Sequence, residues 1–329
     1  MSSPPLLDRA RHLADELLFP TSVEVEARGS VPVEHLDRLA EAGLYGIFAP
    51  AGPDLPTALR IIEALAGGDL ATALVWIQHH SAVRAVASSE RPGVRETWLT
   101  RLATGEVRAG VALGGLRPGP PLVRARPVPG GYCLDGVAPW VTGWDLVDVV
   151  LVAARTVDDL AIWALVDVRP VESLCVAWPP LIAVAASRTV HLTLTGHVVP
   201  ADRVTGTLPF AQWPERDAQG LRGNGSLSLG LADRCCRLLG ELGAPLAQEV
   251  NQCRSMLDAT DVVGMPAARA AASELAYRCA TTLIVATGAK STVVSEPAQK
   301  LLREATFLLV FGSRPSIREH LLRRVSTRD

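Results

Sequence analysis

Residues 130–155 read GGYCLDGVAPWVTGWDLVDVVLVAAR, and the rest of the chain is organised around them. Gly130–Gly131 turns into a short strand, and Asp135–Gly136 has the composition of a hairpin turn. Trp140-Val141-Thr142 follows, and Val149 to Ala153 is a continuous apolar strand. Before this stretch the chain reads as helices with few breaks, and well after it as helices again. A β segment that carries an indole and a hydroxyl between two helical blocks is the expected seat of a flat aromatic cofactor.

Upstream, Leu6, Ala10, Leu13 and Leu17 form one helical stripe, which Pro20 is expected to stop. Ser30 and Pro32 open a second helix that ends at Gly43, and Asp54 and Pro56 open a third that Gly67–Gly68 closes. Asp69 caps a fourth, LATALVWIQHHSAVRAVAS, apolar nearly all round and therefore expected to be buried. RETWLTRLATG completes this block. From Val107 the period changes: VRAGVAL, LVRARPV, GYCLDG, DVVLVAA, LAIWALV and RTVHLTLT read as strands between Pro/Gly turns. In the last, Val190, Leu192 and Leu194 alternate with Thr189, His191 and Thr193, as in a sheet wet on one face. After about Val204 the pattern is helical, with helices over 226–240, 247–258, 267–287, 297–311 and 316–324. The fold class is α+β, mostly α: an N-terminal helical domain (1–106), a central antiparallel, barrel-like β domain (107–204) and a C-terminal four-helix bundle (205–329). No GxGxxG follows any strand, so a dinucleotide fingerprint is absent.

The 329 residues are 48% hydrophobic and 20% charged with a formal net charge of -2, so a core is affordable without staples and no basic footprint for nucleic acid exists. No stretch approaches the apolar length needed to span a bilayer, and the N-terminus, interrupted by Asp8, Arg9, Arg11, Asp15 and Glu16, is not a signal peptide. Six cysteines without CxxC spacing read as reduced thiols of a cytoplasmic protein. His79-His80 point about 100° apart on a helix and cannot share a metal, so solvation or a hydrogen bond is their expected fate, and no metal site is expected.

The order helices, β domain, bundle, and the residues that carry it, resemble the acyl-CoA dehydrogenase family of flavoproteins. HLDRLAEAGLYGIFAP (35–50) is similar to the family's "hL...aGL.gi..P" segment. Gly131, Leu134, Gly136, Trp140, Val141 and Thr142 match "G..l.G.k.WvT..", and PAQKLLREATFLLVFGSRPSIREHLLRR (297–324) echoes its closing helix pair. The resemblance implies that the β domain holds the isoalloxazine of FAD, with an acyl-CoA thioester between it and the bundle. Trp140 and Val141 would then pack at the flavin, and Thr142 would hydrogen-bond its pyrimidine or N5 edge. On the residues alone, Trp140 reads as a core aromatic and Thr142 as a turn residue.

The departures from the family pattern carry as much information. Anchored on Lys300 to Ala305, the family's "YEGT" base motif falls on Phe311 and Gly312, and Gly312 cannot be a base. A second family location for the base precedes an Arg matched by Arg222, but here Gly220 and Leu221 occupy it; Glu215 and Asp217 are expected in a loop. The hydroxyls of the family's TEP..GS loop are gone from Leu113 to Pro118, and its R..FG motif is missing at Leu242 to Pro245. The family's FGGNG loop corresponds to Thr287 to Ser291. There Gly288 either lets backbone approach a phosphate, with Lys290 supplying charge, or simply ends a helix. Arg314, Ser316 and Arg318 occupy the stretch that grips the nucleotide half of FAD, and Ser313 and Arg222 fall on the substrate side; alternatively Ser313 or Ser316 caps the last helix and the arginines are solvated.

Three functions follow from these readings. The first is a base-lacking subunit of a heteromeric acyl-CoA dehydrogenase, of the kind found in actinobacterial steroid side-chain β-oxidation, with a complete subunit as partner supplying the catalytic Glu. The second is a flavin monooxygenase or oxidase of the same fold, with His79, His80 or Ser81 as a polar group near N5 if their helix lines the pocket. The third is a non-catalytic acyl-CoA-binding paralogue. Homo- and hetero-oligomers both remain open.

Overall fold

The computed structural model describes residues 5–117 and 119–326. The N-terminal block is α1 (Leu6–Leu13), a π-helical turn (Ala14–Leu18), α2 (Phe19–Arg28), α3 (Val33–Glu41), α4 (Leu55–Gly68), α5 (Leu70–Ala87) and α6 (Val94–Thr104). Pro20 does not stop the first helix. It sits at the start of α2, just after the π-turn, where the looser ladder removes the i−4 clash that a proline makes in a regular helix. Asp54 and Asp69 cap α4 and α5 by accepting the amides of Thr57 and Thr72, both at 2.9 Å. α5 is buried on almost every side, as its uniform apolarity requires.

The sheet has eight strands: β1 (Ala109–Ala112), β2 (Val123–Val128), β3 (Gly131–Val141), β4 (Val149–Arg155), β5 (Leu160–Asp167), β6 (Leu174–Ala177), β7 (Val190–Pro200) and β8 (Val204–Pro209). Its order is β6-β7-β3-β2-β4-β5-β8, with β1 alongside β4. It is mixed rather than antiparallel, because β1 runs parallel to β4 and β2 meets β4 in parallel at Arg124 and Arg155. β6 was too short and β8 too close to the helical half to be read from periodicity.

The hairpin turn is Pro129–Gly130, not Asp135–Gly136. Asp135–Gly136 lies inside β3 at a shift of register against β7, where the Asp135 carboxylate accepts the Gly196 amide at 2.6 Å.

The C-terminal helices are α7 (Trp213–Leu239), α8 (Ala244–Ala259), α9 (Met265–Thr287), α10 (Pro297–Val310) and α11 (Pro315–Ser326). α7 starts earlier than its sequence suggests, so Glu215 and Asp217 stand on a helix, not in a loop. Its glycines serve packing. A Cβ on Gly230 would lie 2.1 Å from the Glu63 carbonyl oxygen, and one on Gly67 2.8 Å from that of Gly230, so α4 and α7 touch backbone to backbone.

Ion pairs join the two ends of the chain. Asp15 pairs with Arg234 and Arg237, Glu26 with Arg303, Glu63 with Arg222 and Arg254, and Asp69 with Lys300. In the last, Lys300 Nζ lies 3.0 Å from Asp69 and 2.5 Å from Glu304, with all three side chains buried. Burial works to discharge Lys300, but Glu304 and Asp69 outweigh it and hold the ammonium above its usual range.

Candidate functional site

Beyond the register shift at Asp135, β3 and β7 pair regularly from Gly136 to Ala138, which faces Leu192; the next pair is Val141 and Val190. Pro139 and Trp140 therefore oppose His191 alone, a bulge that Pro139 favours because it has no amide to lose. Trp140 takes the left-handed conformation, φ 64°. Its amide donates to His191 Nδ1 at 3.4 Å, and the two rings meet edge to face at 4.8 Å. The bulge re-aims the indole: Trp140 is 54% exposed, while Val141 and Thr142 beside it are buried. Trp140 is thus not a core aromatic.

Thr142 heads a row of buried hydroxyls. Its Oγ1 is 3.1 Å from that of Thr189, which is 2.8 Å from Ser187 Oγ. The turn after Thr142 docks on the turn before Thr189: the amides of Gly143 and Trp144 donate to the carbonyls of Ser187 and Arg188 at 2.9 and 3.0 Å. Arg188 pairs with Asp145 at 2.6 Å and stacks over Trp178 at 3.9 Å.

Backbone strain collects here. Trp140, Asp145, Val184 and Arg188 all have positive φ. Each costs on the order of 1 kcal/mol or more, and Val184 is β-branched, which makes its φ of 51° a true outlier. A cleft of about 470 Å³ between the α2–α3 junction and this corner is lined by Arg28, Ser30, Val33, Asp145, Leu146 and Arg188.

The other sequence candidates lie elsewhere and are engaged within the chain. Arg222 is buried and donates to Asp258 and Ser226, both at 2.8 Å. Arg314, a third exposed, grips Asp217 with two nitrogens at 2.5 Å and reaches the Gly312 carbonyl at 3.0 Å, while Arg318 is exposed on α11. The Ser313 amide donates to the Val310 carbonyl at 3.3 Å, and Ser316 is exposed on α11. Gly288 ends α9 with φ 69° and open space around it, and Lys290 pairs with Glu296 at 2.7 Å. Gly312 has φ 59°, and a Cβ there would lie 3.0 Å from the Asn224 side-chain nitrogen.

Leu113 is followed by a 3-10 turn, Gly114–Leu116, lying flat on β4. A Cβ on Gly115 would approach Ala154 Cα to 2.6 Å. Pro118 lies outside the described residues.

Neither His79 nor His80 is solvated. Ala109 N–H donates to His79 Nδ1 at 3.1 Å, so that nitrogen is bare and Nε2 donates to the Leu102 carbonyl at 3.0 Å. Burial holds this neutral ring down to about 3. His80 packs against Phe48, Trp76 and His79 with no hydrogen-bond partner on either nitrogen.

Sequence reasoning missed Ser187, Thr189 and His191 as neighbours of the WVT segment. The alternation of Thr189, His191 and Thr193 against buried valine and leucines was the available signal, since it marks one polar strand face. Among the described residues no group of three or more His, Cys, Asp or Glu is placed to hold a metal, and no helix is long and apolar enough to cross a membrane.

Comparison with known proteins agrees with this architecture. Residues 5–106 match the family model of the acyl-CoA dehydrogenase N-terminal domain. Butyryl-CoA dehydrogenase from Megasphaera elsdenii superposes with a TM-score of 0.84 at 17% identity, covering 100% of both chains. A glutaryl-CoA dehydrogenase from Mycobacterium smegmatis, solved in complex with FADH2, gives 0.85 at 16% identity over 98% of this chain and 94% of that one. An acyl-CoA dehydrogenase from Geobacillus kaustophilus gives 0.82 at 16%, covering 98% and 97%. No curated protein matches. Residues 5–106 therefore resemble the acyl-CoA dehydrogenase N-terminal domain, and the whole chain shares the fold of those solved dehydrogenases.

Proposed function

We propose that this chain is a subunit of an FAD-dependent acyl-CoA dehydrogenase that frames the flavin ring and leaves proton abstraction to a partner subunit. The division into residues 1–106, 107–204 and 205–329, the cytoplasmic compartment and the assembly with a complete acyl-CoA dehydrogenase chain belong to the same proposal.

The observation that carries it is position 312. The base of the family resemblance falls on a residue whose left-handed backbone suits glycine and whose missing side chain faces the Asn224 amide. The nearby carboxylate that could substitute, Asp217, is held by both arms of Arg314.

The residues fit one end of an FAD. A half-exposed indole on a bulge, with a row of buried hydroxyls behind it, suits the isoalloxazine: Trp140 and Val141 would pack on the ring, and Thr142 would turn its hydroxyl to the heteroatom edge. The phosphate end fits poorly, since Lys290 and Arg314 are each neutralised by a carboxylate. Gly288, Ser316 and Arg314 would grip the cofactor only after those pairs open, and Ser313 and Arg222 would meet the thioester from the bundle side. When bound, the flavin supplies a two-electron acceptor for the acyl β-carbon. A bulky acyl group, such as a steroid side chain, is part of the same proposal. Two of the three polar candidates of the oxygenase alternative, His79 and His80, are committed to core packing, leaving only Ser81, which favours the dehydrogenase reading over it.

The test is purification of the chain alone and together with a base-bearing acyl-CoA dehydrogenase subunit. Low flavin content and no acyl-CoA-dependent dye reduction alone, with both gained in the complex, is the expected result. Full FAD occupancy and dehydrogenase activity in the isolated chain would overturn the proposal.

A further inference from the structure

The six cysteines are all unpaired, and two of them from different helices lie against one another. Cys236, in the last turn of α7, has its Sγ 3.9 Å from that of Cys279 in the middle of α9. We infer that Cys236 and Cys279 form a peroxide-sensitive thiol pair that closes to a disulfide joining α7 to α9. The inference is independent of the proposed flavin function.

The pair differs from ordinary core thiols in three ways. First, the sulfurs are already in contact across an interhelical seam, so closing the bond has only to shorten a 3.9 Å separation. Cys235, next along α7, points about 100° away and is fully buried.

Second, the two thiols are unlike. The contact with Cys279 favours the Cys236 thiolate, drawing it below the usual thiol range against the opposing effect of burial. The same contact, with burial, pushes Cys279 far up. Cys236, in the last turn of α7 and 5% exposed, is the thiol peroxide reaches first, and the fully buried Cys279 is the resolving partner.

Third, the cover over Cys236 is thin. The 3-10 turn Gly240–Gly243 follows α7 directly and packs on its backbone, where a Cβ on Gly243 would lie 2.3 Å from the Cys236 carbonyl oxygen. Glu241 and Leu242 on that turn are exposed, as is Leu238 beside it. Gly240, with φ 59°, lets the turn swing without side-chain strain. The Glu249–Arg278 ion pair, with both side chains over 40% exposed, marks the same edge as reachable from solvent.

The chemistry balances with hydrogen peroxide as oxidant. The Cys236 thiolate attacks one peroxide oxygen, forming the S–O bond of a sulfenic acid as the O–O bond breaks and hydroxide leaves. The Cys279 sulfur then attacks the sulfenic sulfur, and its proton leaves with the displaced hydroxyl as water. Two thiols and one peroxide give one disulfide and two waters, the sulfurs losing the two electrons that peroxide gains.

The test uses the full chain as purified, treated with hydrogen peroxide, unfolded, alkylated and mapped by mass spectrometry. Two of the six alkylatable thiols are expected to be lost, the Cys236 and Cys279 peptides should appear joined and two hydrogens lighter than their sum, and dithiothreitol should restore them. A Cys279→Ser variant should stop at the sulfenic acid and give a dimedone adduct at Cys236. Because the mapping is done on the parent chain, a variant that fails to fold leaves the result intact. Full alkylation of Cys236 and Cys279 after peroxide overturns the inference. So does linkage of either to Cys235 or Cys253, or oxidation confined to the exposed Cys175.

Discussion

Replacing Lys300 by Met keeps the length and apolar stem of the side chain and removes only the ammonium. Glu304 and Asp69 are then left in the interior without their shared counter-ion, since the three groups are 1–3% exposed. Burial, helped by Asp69 and opposed by Lys300, leaves Glu304 raised to about 7. Taking the cation away removes the opposing effect. Loss of one partner from a buried ion pair costs about 3–5 kcal/mol. A chain of 329 residues unfolds with an entropy of about 0.7 kcal/mol/K, so the melting temperature should fall by roughly 4–7 °C.

The pH dependence is equally specific. A carboxyl whose folded pKa is raised contributes stability that is complete below its unfolded value and is lost as pH rises through the folded one. In the variant that folded value lies above 7, so the gap to the parent should be smallest near pH 5 and widen above pH 7. Asp69 still caps Thr72 at 2.9 Å, so Lys300→Met/Glu304→Gln should recover at least half of the loss. Thermal melts of parent, single and double variants at pH 5, 7 and 8.5 measure all three effects. A single variant melting within about 1 °C of the parent at every pH, or a double variant no better than the single, refutes the argument.

Other perturbations probe separate parts of the molecule. Trp140→Gly removes a left-handed cost of about 1 kcal/mol together with the indole; it should leave the melting temperature unchanged or slightly higher while lowering FAD retention in the co-purified assembly, measured by flavin absorbance. Gly312→Glu restores a carboxylate in name but sets a side chain at φ 59° against Asn224; a loss of about 1–2 kcal/mol in urea unfolding and no gain of dehydrogenase activity are expected, and a catalytically competent variant would refute the reading of that position. His79 stays neutral in the fold to about 3, so it favours the fold above pH 6.5 and that contribution drains away as pH falls, by about 1.4 kcal/mol per pH unit. Imidazole NMR should show it untitrated at pH 5, and His79→Gln should flatten the acid limb of the stability profile.

The fold was largely legible because its long elements carry strong signals: caps at Asp54 and Asp69, an all-round apolar α5, and helices over the last third. What failed was local. Pro20 reads as a stop because nothing in ADELL announces a π-turn that accommodates it. Asp135–Gly136 reads as a turn because composition does not distinguish a hairpin from a bulge inside a long strand. At the site, the WVT residues were found, but their neighbours depend on which strand lies beside β3, and that pairing joins residues some fifty positions apart. The acid–cation pairs were invisible for the same reason. Lys300 and Glu304 look like a surface i,i+4 pair until α7 and α9 pack on their helix and Asp69, the cap of α5, reaches Lys300.

Those pairs have a consequence for synthesis. Asp15, Glu26, Glu63 and Asp69 all belong to the first quarter of the chain, while, apart from Arg60 beside Glu63, their partners, Arg222, Arg234, Arg237, Arg254, Lys300 and Arg303, lie in its last third. The helices that leave the ribosome first therefore emerge as half of a charge-matched body, carrying acids meant for the interior before any of those counter-ions exists. A ribosome stalled after the β strands would hold a soft acidic intermediate in need of a chaperone, and a separately expressed C-terminal half would be its basic complement.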